Sequence, residues 1–299
     1  MNIHTFGSKH FLGTLNSIND GFRSFGHVID DFDSIPQLIY SNDMGGHQSA
    51  VKHKDYYIKL GYAPRLILNI LDIPFHVKEI DEIIQNCKTL LPFADRVTTI
   101  SYKVKQDLLD QTGFNPSVIY QPIRPIEHIP NINKTIDFFI NGRVLDPNKR
   151  GYLAEELCKK MNRNLVCAGS DYLPSAKNIG VVTDQQLSLL YNMSKITLAF
   201  GKIEGIAMQI PESILLKTPI ITLSDNPTNY EFCPKEMICE PNIDAIMDKA
   251  ENILSNYSYY QNLCVELSEK YMIQFSPKSV ANNILQSYNS IYEYCSNNS

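Results

Sequence analysis

The sequence predicts an α/β fold built from two similar Rossmann-like domains. Short runs of β-branched or aromatic residues alternate with amphipathic stretches, the pattern of βαβ units around a parallel sheet. Residues 121–134 contain three prolines and no sustained period, which predicts an interdomain connection. The chain has 299 residues, a length that suits two domains better than one core. We expect a first domain over residues 1–125, a second over residues 126–276 and a C-terminal helix over residues 277–299.

Five apolar or β-branched runs in the first domain predict strands. They cover residues 2–6, 37–40, 66–71, 96–100 and 118–120. Helices are expected between them, and the clearest spans residues 101–112. There Ser101 can cap the first turn, Val104 and Leu108 form part of an apolar stripe, and Gly113 ends the helix. Helix, turn and strand therefore repeat through this domain.

The same alternation resumes after the proline-rich connection. The predicted strands of the second domain are residues 136–140, 165–168, 197–200 and 219–223. The predicted helices are residues 151–161, 184–193 and 212–216. From Ile243 onward the chain is expected to be helical, and residues 277–294 have one long apolar face.

Composition limits the classes of function. The chain is 43% hydrophobic and 20% charged, and it contains no apolar run near the roughly 18 residues that a membrane span requires. The N-terminus lacks the features of a secretory signal, so we expect a cytoplasmic protein. Seven cysteines without C-x-x-C spacing suit reduced thiols. The net charge of -5 provides no general attraction to nucleic acid.

Two glutamates in the second domain indicate a functional site. Glu204 and Glu212 have seven residues between them, and an apolar run follows at once. The spacing alone is weak evidence, because a motif is a hypothesis until its structural context agrees. Glu212 could simply begin a helix, and Glu204 could be an ordinary loop carboxylate.

A second cluster of residues lies where the first strand of this domain ends. Asn141 and Gly142 permit a tight turn, and Arg143 and Lys149 lie on the loop that leads into the next helix. Arginine binds phosphate oxygens through two donors, lysine adds a mobile charge, and helix N-terminal amides add further donors. The cluster therefore suits an anionic ligand, and a solvated turn is the alternative.

These clusters belong to five ordered blocks that resemble the retaining nucleotide-sugar glycosyltransferases of family 4, which have the GT-B fold. The resemblance runs from about Arg96 to the C-terminus and indicates a compact variant of that family. The blocks are residues 97–101, Asn141–Arg143 with Lys149–Gly151, residues 178–191, Glu204 to Glu212 as the E-x7-E signature, and residues 275–280 with the helix that follows. Their order is more specific than any single block.

The resemblance implies an arrangement of domains and ligands. Two Rossmann-like domains would face one another across a cleft, and the C-terminal helix would return to the first domain. The second domain would bind a nucleotide-diphosphate sugar as co-substrate, and the first would bind an acceptor hydroxyl. Ligands of such sheets lie at the carboxyl ends of the strands. The proline-rich connection would be the hinge on which the cleft closes.

The resemblance also implies a role for each charged residue. Arg143 and Lys149 would hold the donor diphosphate, and two cations can neutralise the leaving group without a metal ion. Glu212 would accept hydrogen bonds from the ribose hydroxyls. Glu204 would be the catalytic residue, which orients the sugar and stabilises the cationic character of its anomeric carbon. We expect transfer with retention, and neither a metal site nor another cofactor.

The backbone around the donor departs from the family pattern. Gly142 and the segment Gly205, Ile206 and Ala207 are expected to approach the donor, but the family usually has Phe-Gly where this chain has Ile-Ala. Alanine restricts the backbone more than glycine does. The glycine-rich loop after the first strand is reduced, and Gly7 is expected to approach the donor or to serve only as a turn glycine.

The acceptor side is harder to interpret. The family often has a histidine before an aspartate in the first domain, whereas this chain has Leu71 before Asp72. His76 is a possible substitute. The segment 47–62 mixes lysines with tyrosines, and Lys54 and Tyr57 could contact an acceptor. The alternative for this segment is a solvated amphipathic helix.

Several acceptors and two other functions stay open at this point. The acceptor could be a glycan, a lipid-linked sugar, a protein, a small molecule or a modified DNA base, although the net charge of -5 disfavours long duplex contacts. A nucleotide-sugar epimerase or hydrolase would use the same fold. A non-catalytic nucleotide-sugar or glycan-binding protein would also explain the departures. The nucleotide, the sugar and the oligomeric state cannot be read from these residues.

Overall fold

The computed structural model describes residues 1–8, 12–71 and 80–296. The chain divides into two compact units, one over Met1–Arg124 and Gln274–Ser299 and the other over Pro125–Ile273. In the described residues, each unit contains one sheet of six parallel strands with helices packed on it. The expected fold class, two Rossmann-like α/β domains, is confirmed.

The elements alternate along the chain as the periodicity predicts. The strands are β1 (Asn2–Phe6), β2 (Val28–Ile29), β3 (Leu38–Ser41), β4 (Arg65–Ile70), β5 (Arg96–Thr99), β6 (Ser117–Val118), β7 (Ile136–Asn141), β8 (Leu165–Ala168), β9 (Lys177–Gly180), β10 (Ser194–Ala199), β11 (Ile220–Leu223) and β12 (Ile238–Cys239). The helices are α1 (Leu12–Ser24), α2 (Met44–Lys59), α3 (Ile80–Leu90), α4 (Tyr102–Thr112), α5 (Gly151–Met161), α6 (Asp184–Met193), α7 (Gln209–Leu215), α8 (Asn229–Phe232), α9 (Ile243–Ser255), α10 (Tyr257–Gln274) and α11 (Pro277–Ser296). Short 3-10 helices span Leu91–Phe93 and Lys235–Met237.

Both sheets contain a point where the strand order reverses. The order is β2-β1-β3-β4-β5-β6 in the first unit and β12-β11-β10-β7-β8-β9 in the second. The chain therefore proceeds from β7 outward to β9 and then returns to place β10 on the other side of β7. The loops that leave two such neighbouring strands diverge, which opens a crevice at their carboxyl ends. In the second unit this crevice lies beyond β7 and β10.

Most predicted elements are found, and the differences have local causes. Ser101 caps α4 by accepting a hydrogen bond from the Val104 amide at 3.2 Å, and Gly113 ends the helix with a φ of 78°. Helix α7 begins at Gln209, before the predicted Glu212, because Pro211 is tolerated within a first turn whose amides lack intrahelical partners. Strands β2 and β12 have two residues each and are too short to show a period.

The C-terminal helix α11 belongs to the first unit and packs against α1. Val280, Ala281 and Ile284 share a buried apolar cluster with Ile18 and Phe22 of α1. The segment before α11 is held to the same unit by a 3.0 Å hydrogen bond from the Ile123 amide to the Phe275 carbonyl. Terminal residues therefore contribute directly to the core of the first unit.

The second sheet has a continuous core on the side covered by α6. Phe139, Val166 and Leu187 pack there with Tyr191, whose ring contacts the Phe139 ring edge-on at 5.1 Å. Helix α6 begins with a capping box in which the side chains of Thr183 and Gln186 bond to each other's backbone amides. This cap fixes the start of α6, the helix that carries Tyr191 toward the end of β7.

In the part of the chain that the structure describes, no helix is both long enough and apolar enough to span a bilayer.

Helix α1 contains two glycines in contrasting environments, which gives a direct test of the α1–α11 contact. A Cβ atom on Gly21 would lie 2.2 Å from the backbone oxygen of Pro277, whereas a Cβ on Gly13 would have no atom within 4 Å. We expect Gly21→Ala to lower the free energy of unfolding by about 1–3 kcal/mol, because the helices must separate. Urea unfolding followed by circular dichroism measures the change.

The matched control is Gly13→Ala. Alanine has the higher helix propensity, so this substitution is expected to raise the free energy of unfolding by about 0.5–1 kcal/mol. Equal stabilisation by both substitutions would show that α11 does not pack closely on α1.

Candidate functional site

The candidate site lies at the carboxyl ends of β7 and β10, where the order of the second sheet reverses. A small pocket is found there, and Asn141, Lys149, Gly201, Glu204 and Gln209 are among the residues that line it. The pocket contains residues from both clusters that the sequence singled out. The fold therefore brings the loop after β7 and the loop after β10 together.

Close backbone contacts form one wall of this region. Gly142 directly follows β7, adopts a φ of 105° and donates its amide hydrogen to the Ala168 carbonyl at 2.9 Å. Gly169 has a φ of 144°, and a Cβ there would lie 2.3 Å from the Gly142 oxygen. Glycine is needed at both positions, since other residues rarely adopt these angles and no side chain would fit at Gly169.

Lys149 and Glu204 form an ion pair in the pocket. The Lys149 Nζ atom lies 2.7 Å from the Glu204 Oε2 atom, and the two side chains are only 21% and 12% exposed. Partial burial strengthens the attraction by reducing the screening by water. Each charge is thus neutralised by the other while both side chains keep some access to solvent.

The loop that carries Glu204 is held by Asn148. The Asn148 side chain accepts a hydrogen bond from the Ile203 amide at 2.8 Å and donates to the Ile203 carbonyl at 2.8 Å, and its backbone oxygen accepts from the Lys202 amide at 2.9 Å. Asn148 directly precedes Lys149 in the chain. Its bonds therefore tie the two halves of the ion pair to each other through the backbone.

Gly201 makes room for the Glu204 carboxylate. A Cβ atom on Gly201 would lie 1.6 Å from Glu204 Oε1, which is far inside the contact distance. The carboxylate is packed directly on the backbone that follows β10. The sequence contained a signal for this position, a glycine directly after a buried strand, but nothing in it revealed the contact.

Arg143 has a different environment from Lys149. Its side chain is 75% exposed, and its Nη2 atom lies 3.6 Å from Asp146 Oδ2. The structure does not bring the guanidinium to the Lys149–Glu204 pair. Arg143 lies on the same loop, but at its outer side.

The residues between the two glutamates are mostly buried. Gly205, Ile206 and Ala207 are all inaccessible or nearly so, with Ile206 at 6% and Ala207 at 2% exposure. The Ala207 carbonyl accepts a hydrogen bond from the Ile210 amide at 2.9 Å and so begins α7. This segment packs its side chains into the unit, and its backbone forms the turn between Glu204 and Glu212.

Glu212 is buried beside a tyrosine. It is 1% exposed, and its Oε2 atom accepts a hydrogen bond from the Tyr191 hydroxyl at 2.7 Å. The same hydroxyl lies 3.4 Å from Asn141 Oδ1, at the end of β7. A hydrogen bond to a charged acceptor is short and strong, so Tyr191 fixes the direction of this carboxylate. Sequence reasoning gave Tyr191 no role of its own.

The glycine expected to approach a donor in the first unit is packed against an aspartate. A Cβ atom on Gly7 would lie 3.1 Å from Asp43 Oδ2. The Asp43 carboxylate also accepts hydrogen bonds from the Ser8 and Gly45 amides, each at 2.9 Å. Asp43 therefore braces the loop after β1 against the start of α2.

One histidine of helix α2 is fully buried. His47 is 0% exposed, and its Nδ1 atom lies 2.8 Å from the Ser41 hydroxyl. Burial lowers the pKa of His47 to about 3, so the imidazole is neutral at physiological pH. This histidine is a core residue.

The predicted acceptor residues fall into two groups. Asp72 and His76 lie outside the described residues. Lys54 and Tyr57 are described, and both have structural partners. The Lys54 ammonium lies 2.6 Å from Asp95 Oδ2, at the amino end of β5 and away from the carboxyl ends of the strands.

Tyr57 is 6% exposed and packs edge-on against the His53 ring at 5.1 Å. Helix α2 is amphipathic, and these two residues lie where it contacts the sheet and the adjoining loop. Lys54 and Tyr57 therefore have structural partners, and a contact of either residue with an acceptor stays a prediction.

In the described ranges, no group of three or more His, Cys, Asp or Glu side chains is placed to hold a metal ion. The charged groups of the candidate site are an ammonium paired with one carboxylate and a second carboxylate bonded to a phenol. This arrangement can bind an anion at Lys149 and a hydroxyl group at Glu204.

Several solved structures share this fold over almost the whole chain. Sucrose-phosphate synthase from Thermosynechococcus elongatus has a TM-score of 0.77 and 12% identity, over 98% of this chain and 100% of that one. HepE from Anabaena, in complex with UDP and glucose, has a TM-score of 0.75 and 11% identity, over 97% and 99%. A glycosyltransferase from Rickettsia africae has a TM-score of 0.72 and 12% identity, over 97% and 98%.

The chain has the GT-B fold. The TM-scores of 0.72–0.77 show the fold, whereas identities of 11–12% are too low to show the reaction. No protein-family model matches the chain, and no curated protein is significantly similar to it in sequence. The structural neighbours are glycosyltransferases, and the family 4 signature with its retaining mechanism stays a prediction.

The contact between Gly201 and Glu204 can be tested without any assumption about activity. In Gly201→Ala the new methyl group must displace the Glu204 carboxylate and stretch its bond to Lys149. We expect a loss of about 1–3 kcal/mol in the free energy of unfolding. In a Glu204→Ala background the obstacle is gone, and the same substitution is expected to cost less than about 0.5 kcal/mol.

The parent chain, the two single variants and the double variant form a double-mutant cycle in urea unfolding. A coupling energy of about 1 kcal/mol or more between the two positions supports the contact. Additive effects would contradict it.

Proposed function

We propose that the protein is a retaining, metal-independent glycosyltransferase that moves a sugar from a nucleotide-diphosphate sugar to an acceptor hydroxyl. The observation that carries the proposal is the Lys149–Glu204 ion pair at the carboxyl ends of β7 and β10. This is the location at which doubly wound α/β sheets bind ligands. The pair offers one group for a phosphate and one for a sugar, directly adjacent to each other.

The donor diphosphate would bind at Lys149. A phosphate oxygen can replace the Glu204 carboxylate as the partner of the ammonium, since both are anionic acceptors of similar geometry. Arg143 lies on the same loop, and its long 3.6 Å approach to Asp146 is weak enough to exchange for a phosphate. The backbone at Gly142 and at residues 205–207 belongs to the same two loops and would contribute amide donors to the diphosphate.

The nucleoside would bind at Glu212. Tyr191 donates a hydrogen bond to this carboxylate and holds its direction. A carboxylate with two oxygens and about four lone-pair positions can also accept hydrogen bonds from ribose hydroxyls. The nucleoside and the sugar would thus lie at opposite ends of the segment between the glutamates.

Glu204 would act at the sugar once Lys149 has turned to the phosphate. A carboxylate close to the anomeric carbon stabilises the positive charge that develops as the bond to phosphate breaks. In front-face transfer, the bond between the anomeric carbon and the phosphate oxygen breaks and a bond to the acceptor oxygen forms on the same side. The acceptor proton passes to the leaving phosphate oxygen, whose charge Lys149 stabilises.

The similarity to HepE suggests which donors to test first, because that protein was solved with UDP and with UDP-glucose. UDP-sugars are therefore the first class of donor proposed for this chain. The acceptor would be a hydroxyl of a glycan, a lipid-linked sugar or a modified DNA base. A nucleotide-sugar epimerase or hydrolase would use the same donor site and is distinguished by its products. A non-catalytic binding protein would use this site as well and would form no product.

A thermal-shift screen with UDP-, GDP-, ADP- and TDP-sugars tests donor binding. Ligand that binds only the folded chain raises the melting temperature, by about 5 °C or more at a concentration about 100 times Kd. We expect one donor class to do this, and Lys149→Met to abolish the shift. Lys195→Met is the matched control, because Lys195 pairs with Asp137 at the amino ends of β7 and β10.

Product analysis then tests the reaction. With a suitable acceptor, NMR of the product is expected to show the anomeric configuration of the donor. Glu204→Gln is expected to reduce turnover about 100-fold or more while donor binding persists. An inverted product, or full turnover by Glu204→Gln, would refute the mechanism, and binding without any product would favour the non-catalytic alternative.

A further inference from the structure

We propose that Arg150 and Asp225 form a clamp that positions Lys149 and Glu204 for sugar transfer. The inference rests on the proposed function and adds two residues to it. Lys149 and Arg150 are adjacent cations with different roles. Lys149 is the exchangeable charge of the site, and Arg150 is the fixed support behind it.

The geometry of Arg150 is fully specified by its partners. Its Nη1 and Nη2 atoms donate to the two carboxylate oxygens of Asp225 at 2.8 Å and 2.9 Å. Its Nε atom donates to the Phe200 carbonyl at 2.7 Å. The Arg150 side chain is only 8% exposed. All three nitrogens of the guanidinium therefore bind protein acceptors, which leaves Arg150 poorly placed to become a phosphate ligand itself.

The clamp joins three segments at the carboxyl edge of the sheet. Arg150 directly precedes Gly151, the first residue of α5. Phe200 directly follows β10, and Asp225 lies two residues beyond β11. One side chain thus links the start of a helix to the ends of two adjacent strands.

Two of these three anchor points are next to a residue of the candidate site. Arg150 is bonded covalently to Lys149. Phe200 is bonded covalently to Gly201, on whose backbone the Glu204 carboxylate packs. The Nε bond from Arg150 to the Phe200 oxygen therefore sets the separation between the two chain segments that carry the paired charges.

The backbone of Arg150 adds a second reason for a positioning role. Arg150 adopts a left-handed conformation with φ 51° and ψ 41°. A residue other than glycine holds this conformation at an energetic cost and only where its surroundings determine it. The next residue is also closely packed, since a Cβ on Gly151 would lie 2.4 Å from the Val144 oxygen.

Stability alone does not account for such a pair. Removing two charges from water costs about as much as their attraction returns, so well-packed apolar residues would stabilise the same place as well or better. A bidentate arginine instead provides direction, since its planar fork allows one orientation relative to a carboxylate. Because Arg150 lies beside Lys149 and Glu204, its fixed orientation holds the two paired side chains in position.

Conservative variants test the clamp. Asp225→Asn keeps the volume and removes one charge, and Arg150→Lys keeps the charge and removes the fork. We expect both to lower kcat about 10- to 100-fold, the range expected when reacting groups are misplaced by about 1 Å. The effect on KM for the donor is expected to be smaller, because Lys149 itself remains. Asp225→Glu is expected to restore part of the lost kcat.

The matched control is Asp137→Asn in the same unit. Asp137 is also mostly buried and accepts hydrogen bonds from Lys195 at 2.7 Å and from Asn164 at 2.9 Å, but it lies at the amino end of β7. It is expected to lose stability as Asp225→Asn does and to keep kcat within about twofold. Equal losses of kcat in Asp137→Asn and Asp225→Asn would refute a positioning role and leave a structural one.

A second measurement does not depend on activity. The coupling between Lys149→Met and Glu204→Gln in urea unfolding is compared in the parent chain and in the Arg150→Lys background. We expect the coupling to be lost in that background, since the two charged groups are no longer held together. Unchanged coupling would overturn the clamp, whereas a parent chain that turns over no donor but shows this loss would overturn the proposed function only.

Discussion

The ion pair between Lys149 and Glu204 is the interaction on which the rest of the site depends. The charges lie 2.7 Å apart and are partly shielded from water, so they attract strongly while the pocket stays accessible. An isolated buried charge would raise the free energy of the folded state, and pairing Lys149 with Glu204 lowers this cost. The same arrangement prepares a phosphate-binding ammonium and a sugar-binding carboxylate at one location.

Several features of the second unit hold Lys149 and Glu204 together. Asn148 holds the loop that follows β10 to the loop that precedes α5. Glycines at positions 151, 169 and 201 remove side chains where another atom already lies within 2.4 Å of a Cβ position. Backbone therefore packs on backbone at Gly151 and Gly169, and the Glu204 carboxylate packs on the backbone at Gly201, which leaves little freedom for Lys149 or Glu204 to separate. The reversal of strand order between β7 and β10 brings these loops to one place.

Local patterns were sufficient for the fold and for part of the site. The periods of alternating strands and helices, the Ser101 cap and the Gly113 stop predicted elements that depend on neighbours in sequence. The spacing of Glu204 and Glu212 and the cations on the loop after β7 separately singled out Glu204 and Lys149, which the fold brings into contact.

Contacts between distant segments could not be read in the same way. The support of Arg150 by Asp225 joins residues 75 positions apart, and amphipathic α2 gave no indication that Lys54 would bind Asp95.

A crystal structure with a bound nucleoside diphosphate tests the central claim most directly. The account predicts a phosphate oxygen about 3 Å from Lys149 Nζ, with Glu204 released from the lysine and the ribose at Glu212. A nucleotide bound elsewhere, with the Lys149–Glu204 pair intact, would contradict it.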